Sequence, residues 1–555
     1  MSYLKQYSTR RTPQAEPIPG AGQMPNSAGG FAWAVDDWTR LRRFLILGSE
    51  GGSYYAGERE LTRENADAVV RCLKADGART VAEIVAVSRD ARAPKNEPAL
   101  FALAACAGLG DEATRRTALD SLPAVCRTGT HLFQFARFVE GFRGWGRSLR
   151  RAVGRWYTAQ EPGALAYQAV KYRQRDGVSH RDLLRLAHPG SSVSARNPEL
   201  EVSGEHAALF DWIVRGGRSD GLPRVVEGFV RAQAAPSARE SAELIREYRL
   251  PREAVSPEHL GSPEVWEALL ADMPTGAMIR NLAVMTRVGV LAPGSAATVR
   301  VLEALGDVER LRKARVHPMS VLVAQRTYAA GRGVRGRGEW APVAQVLDAL
   351  DAAFYAAFGN VESTGKRLML ALDVSGSMGW GQVAGAVGLT PRDASAAMAL
   401  ITAASESSHE IVGFFAGEGG ADFPPGTRFA SSRSGLTPLA LSPRQRLDDA
   451  IRTVSGLPFG GTDCALPMLY ALQREREIDT FVIYTDSETW AGDIHPAQAL
   501  RKYREQSGIS ASLVVVGMVS NGFSIADPQD QGMLDVVGFD TATPRLISDF
   551  ARGTL

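Results

Sequence analysis

With 555 residues, 45% hydrophobic and 22% charged, the chain has an ordinary globular composition and is too long for one core, so two or three domains are expected. Its four cysteines, Cys72, Cys106, Cys126 and Cys464, are far apart with no Cys-x-x-Cys pair, which argues against a disulfide framework and fits reduced core thiols in a cytoplasmic protein. The net charge of +2 divides unevenly: 15 basic against 22 acidic residues from Val361 onward, a net of −7, leaves 48 against 39, or +9, over Met1–Asn360; a basic part of that kind is compatible with nucleic acid.

Residues 1–30 are rich in Pro, Gly, Gln and Ser, and Lys5, Arg10 and Arg11 have no apolar segment behind them. That reads as a flexible leader without a secretory signal. From Phe31 to Asn360 (31–360) the pattern is helical, with amphipathic stretches at Asn65–Lys74, Thr80–Ser88, Pro98–Ala107, His131–Arg143 and Pro342–Phe358; many short helices suggest a helical-repeat array. Within it, Ser179 reads as an N-cap with Asp182 in the capping-box acid position, so a helix starts at His180. Lys171, Arg173 and Arg175 end the preceding segment beside that helix's free backbone N–H groups, an arrangement suited to phosphate. His180 and His188 stand two helical turns apart with Arg185 between them, and a solvated hairpin is the bland alternative. The Gly331-x-Gly333-x-x-Gly336 spacing matches a dinucleotide fingerprint but follows no strand, so it is discounted.

From Lys366 the texture changes. Strands at Arg367–Asp373, Glu410–Phe415, Thr480–Thr485 and Ser512–Val519 alternate with helices at Arg392–Ser407, Pro443–Val454, Asp463–Glu477 and Pro496–Gln506, the pattern of a doubly wound α/β domain with a mainly parallel sheet over residues 361–555. The apolar run Leu368–Leu372 ends at Asp373, and in an open α/β sheet ligands bind at the strands' carboxyl ends. Ser375 and Ser377 follow at alternate positions, Thr462 lies in Gly-Gly-Thr-Asp from Gly460, and Asp486, in Tyr-Thr-Asp-Ser-Glu from Tyr484, ends the strand Thr480–Thr485. These oxygen donors, without His or Cys, suit a divalent cation, Mg²⁺ first and Mn²⁺ or Ca²⁺ as alternatives, and not zinc. An aspartyl-phosphatase would need a second acid two residues after Asp373, where Ser375 stands.

The Asp-x-Ser-x-Ser element with Thr462 and Asp486 resembles the metal-ion-dependent adhesion site of von Willebrand factor A domains. The basic hairpin, together with Lys95–Ala104, Gly129–Phe133, Met273-Pro274, Arg280–Leu282 and Leu347–Tyr355 running into Thr364–Arg367, resembles the Ro autoantigen RNA-binding proteins, whose helical part is the TROVE domain. That resemblance covers residues 31–555. It implies an α-helical ring of HEAT-like repeats (TROVE) plus a von Willebrand factor A-like domain. It further implies an RNA-binding protein that carries small noncoding Y-type RNA on the ring and single-stranded 3′ ends of misfolded RNAs in its hole. By position the Y RNA contacts fall on Lys171, Arg175 and His188, with Arg173, His180 and Arg185 beside them and His131 as a candidate for the hole. Bacterial relatives imply polynucleotide phosphorylase or another exoribonuclease as a partner; neither DNA nor a membrane is expected, and no catalytic constellation stands out. The alternative is a metal-dependent protein-interaction module with a peptide-binding helical solenoid.

Overall fold

The computed structural model describes the chain apart from residues 1–10, 35, 48–57, 91, 94, 190–203, 217–220, 334–337, 362, 381–382, 384–387, 417–433, 458–460, 519–522, 538–542 and 554–555. The loop 189–198, the tip of the Gly331–Gly338 segment and Gly460 therefore lie wholly or partly outside the described residues. Two compact units emerge: Met1–Ala68 with Arg315–Arg326 and Ala353–Leu555, and Val69–Ala314 with Thr327–Ala352. By contacts, the described residues of 31–68, 315–326 and 353–360 group with the α/β unit.

The α/β unit holds a mixed six-stranded sheet. Its strands are β5 (Leu368–Asp373), β6 (His409–Ala416), β7 (Ser434–Pro438), β8 (Thr480–Thr485), β9 (Ser512–Gly517) and β11 (Met533–Val537), in the order β11-β9-β8-β5-β6-β7. All pairs are parallel except β6 with β7. Every residue of β5 and β8 is buried, which is why both read as unbroken apolar runs and not as alternation. The helices Pro391–Ser405, Leu447–Ser455, Leu466–Gln473 and Pro496–Ser507 follow the expected positions. The first is fixed by Thr390, whose hydroxyl accepts from Asp393 N while Asp393 answers Thr390 N, with Pro391 at a position where its missing N–H costs nothing.

Residues 11–30 differ from the expected flexible leader. Thr12, Gln14 and Ile18 are buried, and β1 (Gln23–Pro25) and β2 (Phe31–Ala34) form a three-stranded sheet with β10 (Phe523–Ser524). The segment is held by polar groups far along the chain: Thr12 N donates to Gln498 Oε1 (2.9 Å), Gln14 Nε2 to Asp463 Oδ1 (2.7 Å) and Asn26 Nδ2 to the Thr489 carbonyl (2.7 Å).

The helical unit is a series of short helices with side-chain caps at Asp76, Asp111, Thr128, Ser179, Ser237, Ser295 and Asp307. Helices Glu97–Leu109 and Gly129–Phe142 pack closely because Gly108 has no side chain: a Cβ there would stand 2.5 Å from Phe142 Cβ. Among the described residues no helix is long and apolar enough to cross a membrane.

Candidate functional site

Chain order places β6 and β7 to one side of β5, and β9 and β11 beyond β8. The topological switch point therefore lies between β5 and β8, where loops diverge and leave a crevice. Asp373 ends β5 one step beyond the Leu372–Tyr484 pair, level with Thr485, whose hydroxyl donates to Asp373 Oδ2 at 2.6 Å. The turn after β5 folds back so that Ser375 N donates to Asp373 Oδ1 (2.9 Å) and Ser375 Oγ meets Ser377 Oγ at 3.1 Å. Arg392 clamps this turn through the carbonyls of Val374 and Ser375. Ser377 in turn hydrogen-bonds Asp486.

Four of the predicted donors, Asp373, Ser375, Ser377 and Asp486, are thus joined by direct interactions. Thr462 is buried, and its carbonyl accepts from Trp490 N and Ala491 N, which fastens its loop to the one carrying Asp486. Burial, and then the neighbouring Asp486 carboxylate, push the Asp373 carboxyl up; burial raises Asp486 as well. A third acid completes the cluster: Glu488 is buried, accepts from Ala28 N (3.1 Å), and is pushed up to about 8 by burial and by Asp486. Its Oε1 has no hydrogen-bond partner. Thr485 and Glu488 were not singled out from the sequence as site residues, although both lie within Tyr-Thr-Asp-Ser-Glu.

Among the described residues no group of three or more His, Cys, Asp or Glu side chains is arranged to hold a metal ion. The oxygen set here is of a different kind, two carboxylates with hydroxyls. Buried like charges with an unpartnered oxygen beside them fit a hard cation, because a cation is what offsets their desolvation.

In the helical unit, the helix Pro162–Lys171 runs into a hairpin of β3 (Gln174–Arg175) and β4 (Val178–Ser179). Asp176 and Gly177 form its two-residue turn with φ of 50° and 82°, the left-handed pair that Asp-Gly accommodates. The predicted capping box is present: Ser179 Oγ accepts from Asp182 N (3.3 Å) and Asp182 Oδ2 from Ser179 N (3.0 Å), so the next helix begins at His180. Arg173 and Arg175 are exposed and Lys171 half-buried. Lys171 Nζ lies 5.3 Å from the Tyr167 ring, and the Arg173 guanidinium 4.8 Å from Phe229, so these cations sit on aromatic supports. Arg185 is exposed in the last turn, and His188 caps the helix in left-handed conformation, exposed.

His180 does not join that surface. It is 2% exposed, its Nδ1 lies 2.8 Å from the Tyr157 hydroxyl, and its ring sits edge-on to Phe133. The helix N-terminus was legible, but the first side chain turns inward to the aromatic core. Burial pushes His180 down to about 4, and His131, half-buried with Nδ1 3.4 Å from Asn96 Nδ2, likewise to about 4 by burial and by Arg127.

A stability prediction follows for His180. Its folded value of about 4 lies below the ordinary 6.5, so between these limits the unfolded chain takes a proton that the folded chain refuses. Its contribution is whole above pH 6.5 and falls away toward pH 4, on the order of 3 kcal/mol at most. Urea unfolding at pH 7.5 and 5 should show a smaller acid loss in His180→Asn than in the unaltered protein; parallel losses would refute the assignment.

Comparison with known proteins adds relatives. The chain is 43% identical to the RNA-binding protein RO60 of Deinococcus radiodurans over 552 residues, covering 99% of each chain. It is 36% identical to the RNA-binding protein RO60 of Caenorhabditis elegans over 605 aligned positions, covering 96% of this chain and 91% of that one. The crystal structure of the D. radiodurans Ro (RSR) protein matches with a TM-score of 0.71 at 43% identity, covering 94% of this chain and 100% of that one. The TROVE-domain family model matches residues 24–211 and 247–327, and that of the Ro60 vWA domain matches residues 367–551.

Proposed function

The chain belongs to the Ro60 family of proteins that join a TROVE domain to a vWA domain, and on that premise we propose that it is a non-enzymatic RNA-binding scaffold. The observation that carries the reading is the group of cations leading into the hairpin, half-buried Lys171 and exposed Arg173 braced on aromatic rings and exposed Arg175 on β3, beside a capped helix N-terminus inside the TROVE-matched region. Guanidinium and ammonium groups held this way meet phosphates and so position a folded RNA. The RNA proposed is a small Y-type noncoding RNA, contacted by Lys171, Arg173, Arg175, Arg185 and His188. Single-stranded 3′ ends of misfolded RNAs are a second ligand, with His131 as a candidate contact, and a polynucleotide phosphorylase-like exoribonuclease is a proposed partner in noncoding RNA quality control in the cytoplasm. A divalent cation, Mg²⁺ first, is proposed at Asp373, Ser375, Ser377, Thr462 and Asp486, where its charge would draw a carboxylate-bearing ligand.

Replacing Lys171 and Arg175 together by Ala tests the RNA reading. Two lost phosphate contacts should flatten the log–log salt dependence of RNA binding by roughly 1 to 2 units and weaken binding at low salt. Arg312→Ala with Lys313→Ala removes equal charge outside the hairpin. Equal losses in both pairs would mean that a diffuse field, and not this hairpin, holds RNA.

A second reading has its own support in the α/β unit, where Trp380 and Trp490 are 52% and 42% exposed. Trp380 follows the Ser375–Ser377 turn, and the Trp490 ring packs over Gly461, next to Thr462. Exposed indoles beside the proposed cation site suit a protein partner at this edge.

A further inference from the structure

The helical unit contains a pocket of about 440 Å³ between helices Glu97–Leu109 and Gly129–Phe142, closed on one side by the hairpin turn. Its lining is Phe101, Phe138, Phe142 and Gly141, with Glu97, Gln134, Arg137 and Asp176 around the mouth. The size falls within the roughly 300–1,000 Å³ of small-ligand sites. Phe101 stands edge to face with both Phe138 and Phe142 at 5.6 Å. All three rings are half-buried, so aromatic surface forms the floor.

Two features decide what chemistry fits. The rim toward the hairpin carries both signs: Arg137 is 60% exposed and lies 3.9 Å from Asp176, which Arg175, just outside the lining, approaches at 3.7 Å. Such exposed pairs are weakly bound, which leaves both guanidiniums able to take a phosphate instead. Glu97, exposed in the first turn of its helix, supplies an acceptor-only carboxylate at the mouth. An aromatic floor, cations for the backbone and an acceptor at the edge together match an unpaired base whose Watson–Crick edge donates hydrogen bonds.

We propose that this pocket is a nucleobase site that takes one unpaired guanine from RNA held by the neighbouring Lys171–Arg175 hairpin. The inference rests on the RNA-binding reading above and adds to it a base preference that phosphate contacts do not provide.

The test uses the full chain and a fluorescein-labelled stem-loop RNA with one bulged guanosine, against the same stem-loop with an abasic bulge or a bulged adenosine. The guanosine RNA should bind roughly 5- to 100-fold more tightly than the abasic one, the range of base–aromatic stacking. Gly141→Leu adds bulk at a position that lines the pocket and has room for it, since a Cβ at Gly141 meets no atom within 4 Å. It should abolish that preference while abasic RNA binds as before. Glu97→Gln should narrow the preference for guanosine over adenosine. Equal binding of guanosine and abasic RNA by the unaltered protein, or a preference that survives Gly141→Leu, would overturn the base site and leave the hairpin reading intact. Binding of neither RNA would overturn both. Self-association relieved by Gly141→Leu would overturn it too, by making the pocket a contact between copies.

Discussion

Asp373→Asn is expected to abolish Mg²⁺ and Mn²⁺ binding while leaving the metal-free α/β unit at least as stable as before. Asn keeps the shape and one hydrogen bond as it stands, its oxygen still accepting from Ser375 N as Asp373 does at 2.9 Å, while the 2.6 Å bond in which Thr485 Oγ1 donates to Asp373 has to reverse, the Asn amide donating to Thr485 Oγ1. What is lost is a buried charge facing Asp486. Without a cation that charge is a cost, because both groups are desolvated and of one sign. With a cation it supplies one of only two formal charges among the predicted ligands, so its removal takes away the attraction that offsets the ion's own dehydration. In the unaltered protein, saturating Mg²⁺ at 100 times its dissociation constant would add about 2.7 kcal/mol of stability. The expected observation is a melting temperature that rises with Mg²⁺ in the unaltered protein and does not move in Asp373→Asn, with calorimetric titration flat for the variant. A variant that still titrates with Mg²⁺ would remove Asp373 from the ligand set. RNA binding should persist, since the hairpin lies in the other unit.

How much of this was readable from residues alone follows from how local each signal is. Strands β5 and β8 sit in the middle of the mixed sheet with parallel neighbours on both sides, so their apolar runs announced them, and Asp373 and Asp486 at their ends came with them. The Ser179–Asp182 capping box is a four-residue code and was found as such. The edge strand β7 and the short β10 have no comparable signature: Ser434–Pro438 contains Gly and Pro, and β10 is two residues long. The N-terminal segment shows the limit most clearly. Its Pro, Gly and Gln content reads as mobile, yet Gln14 is buried because its amide meets Asp463 and Ile494, partners more than 440 positions away. Such satisfaction of a polar side chain is tertiary, and composition does not carry it. His180 failed for the same reason: the inward rotation that seats it on Tyr157 and Phe133 depends on two other helices.

A second large effect is expected at Arg43, which no motif marks. It lies in the helix Asp37–Leu47, is 2% exposed, and its guanidinium reaches Asp535 Oδ2 at 3.0 Å on β11 and the Phe523 carbonyl at 3.4 Å on β10. Asp535 also accepts from the Ser524 hydroxyl at 2.6 Å. The arginine thus pins this helix to the far edge of the sheet. Removing one partner of a buried ion pair leaves the other charge without compensation, so Arg43→Ala should cost about 3–5 kcal/mol, and hydrogen exchange should accelerate across Met533–Val537 and Asp37–Leu47. Arg43→Met combined with Asp535→Asn deletes both charges, keeps an acceptor for Ser524 and fills much of the arginine's volume. It should therefore recover most of the loss, because a pair removed whole is far less costly than a pair cut in half. If Arg43→Ala instead costs under about 1 kcal/mol, the behaviour of a solvent-screened surface pair, then water reaches this contact and the helix is anchored by apolar packing of Leu41, Phe44 and Leu45 alone.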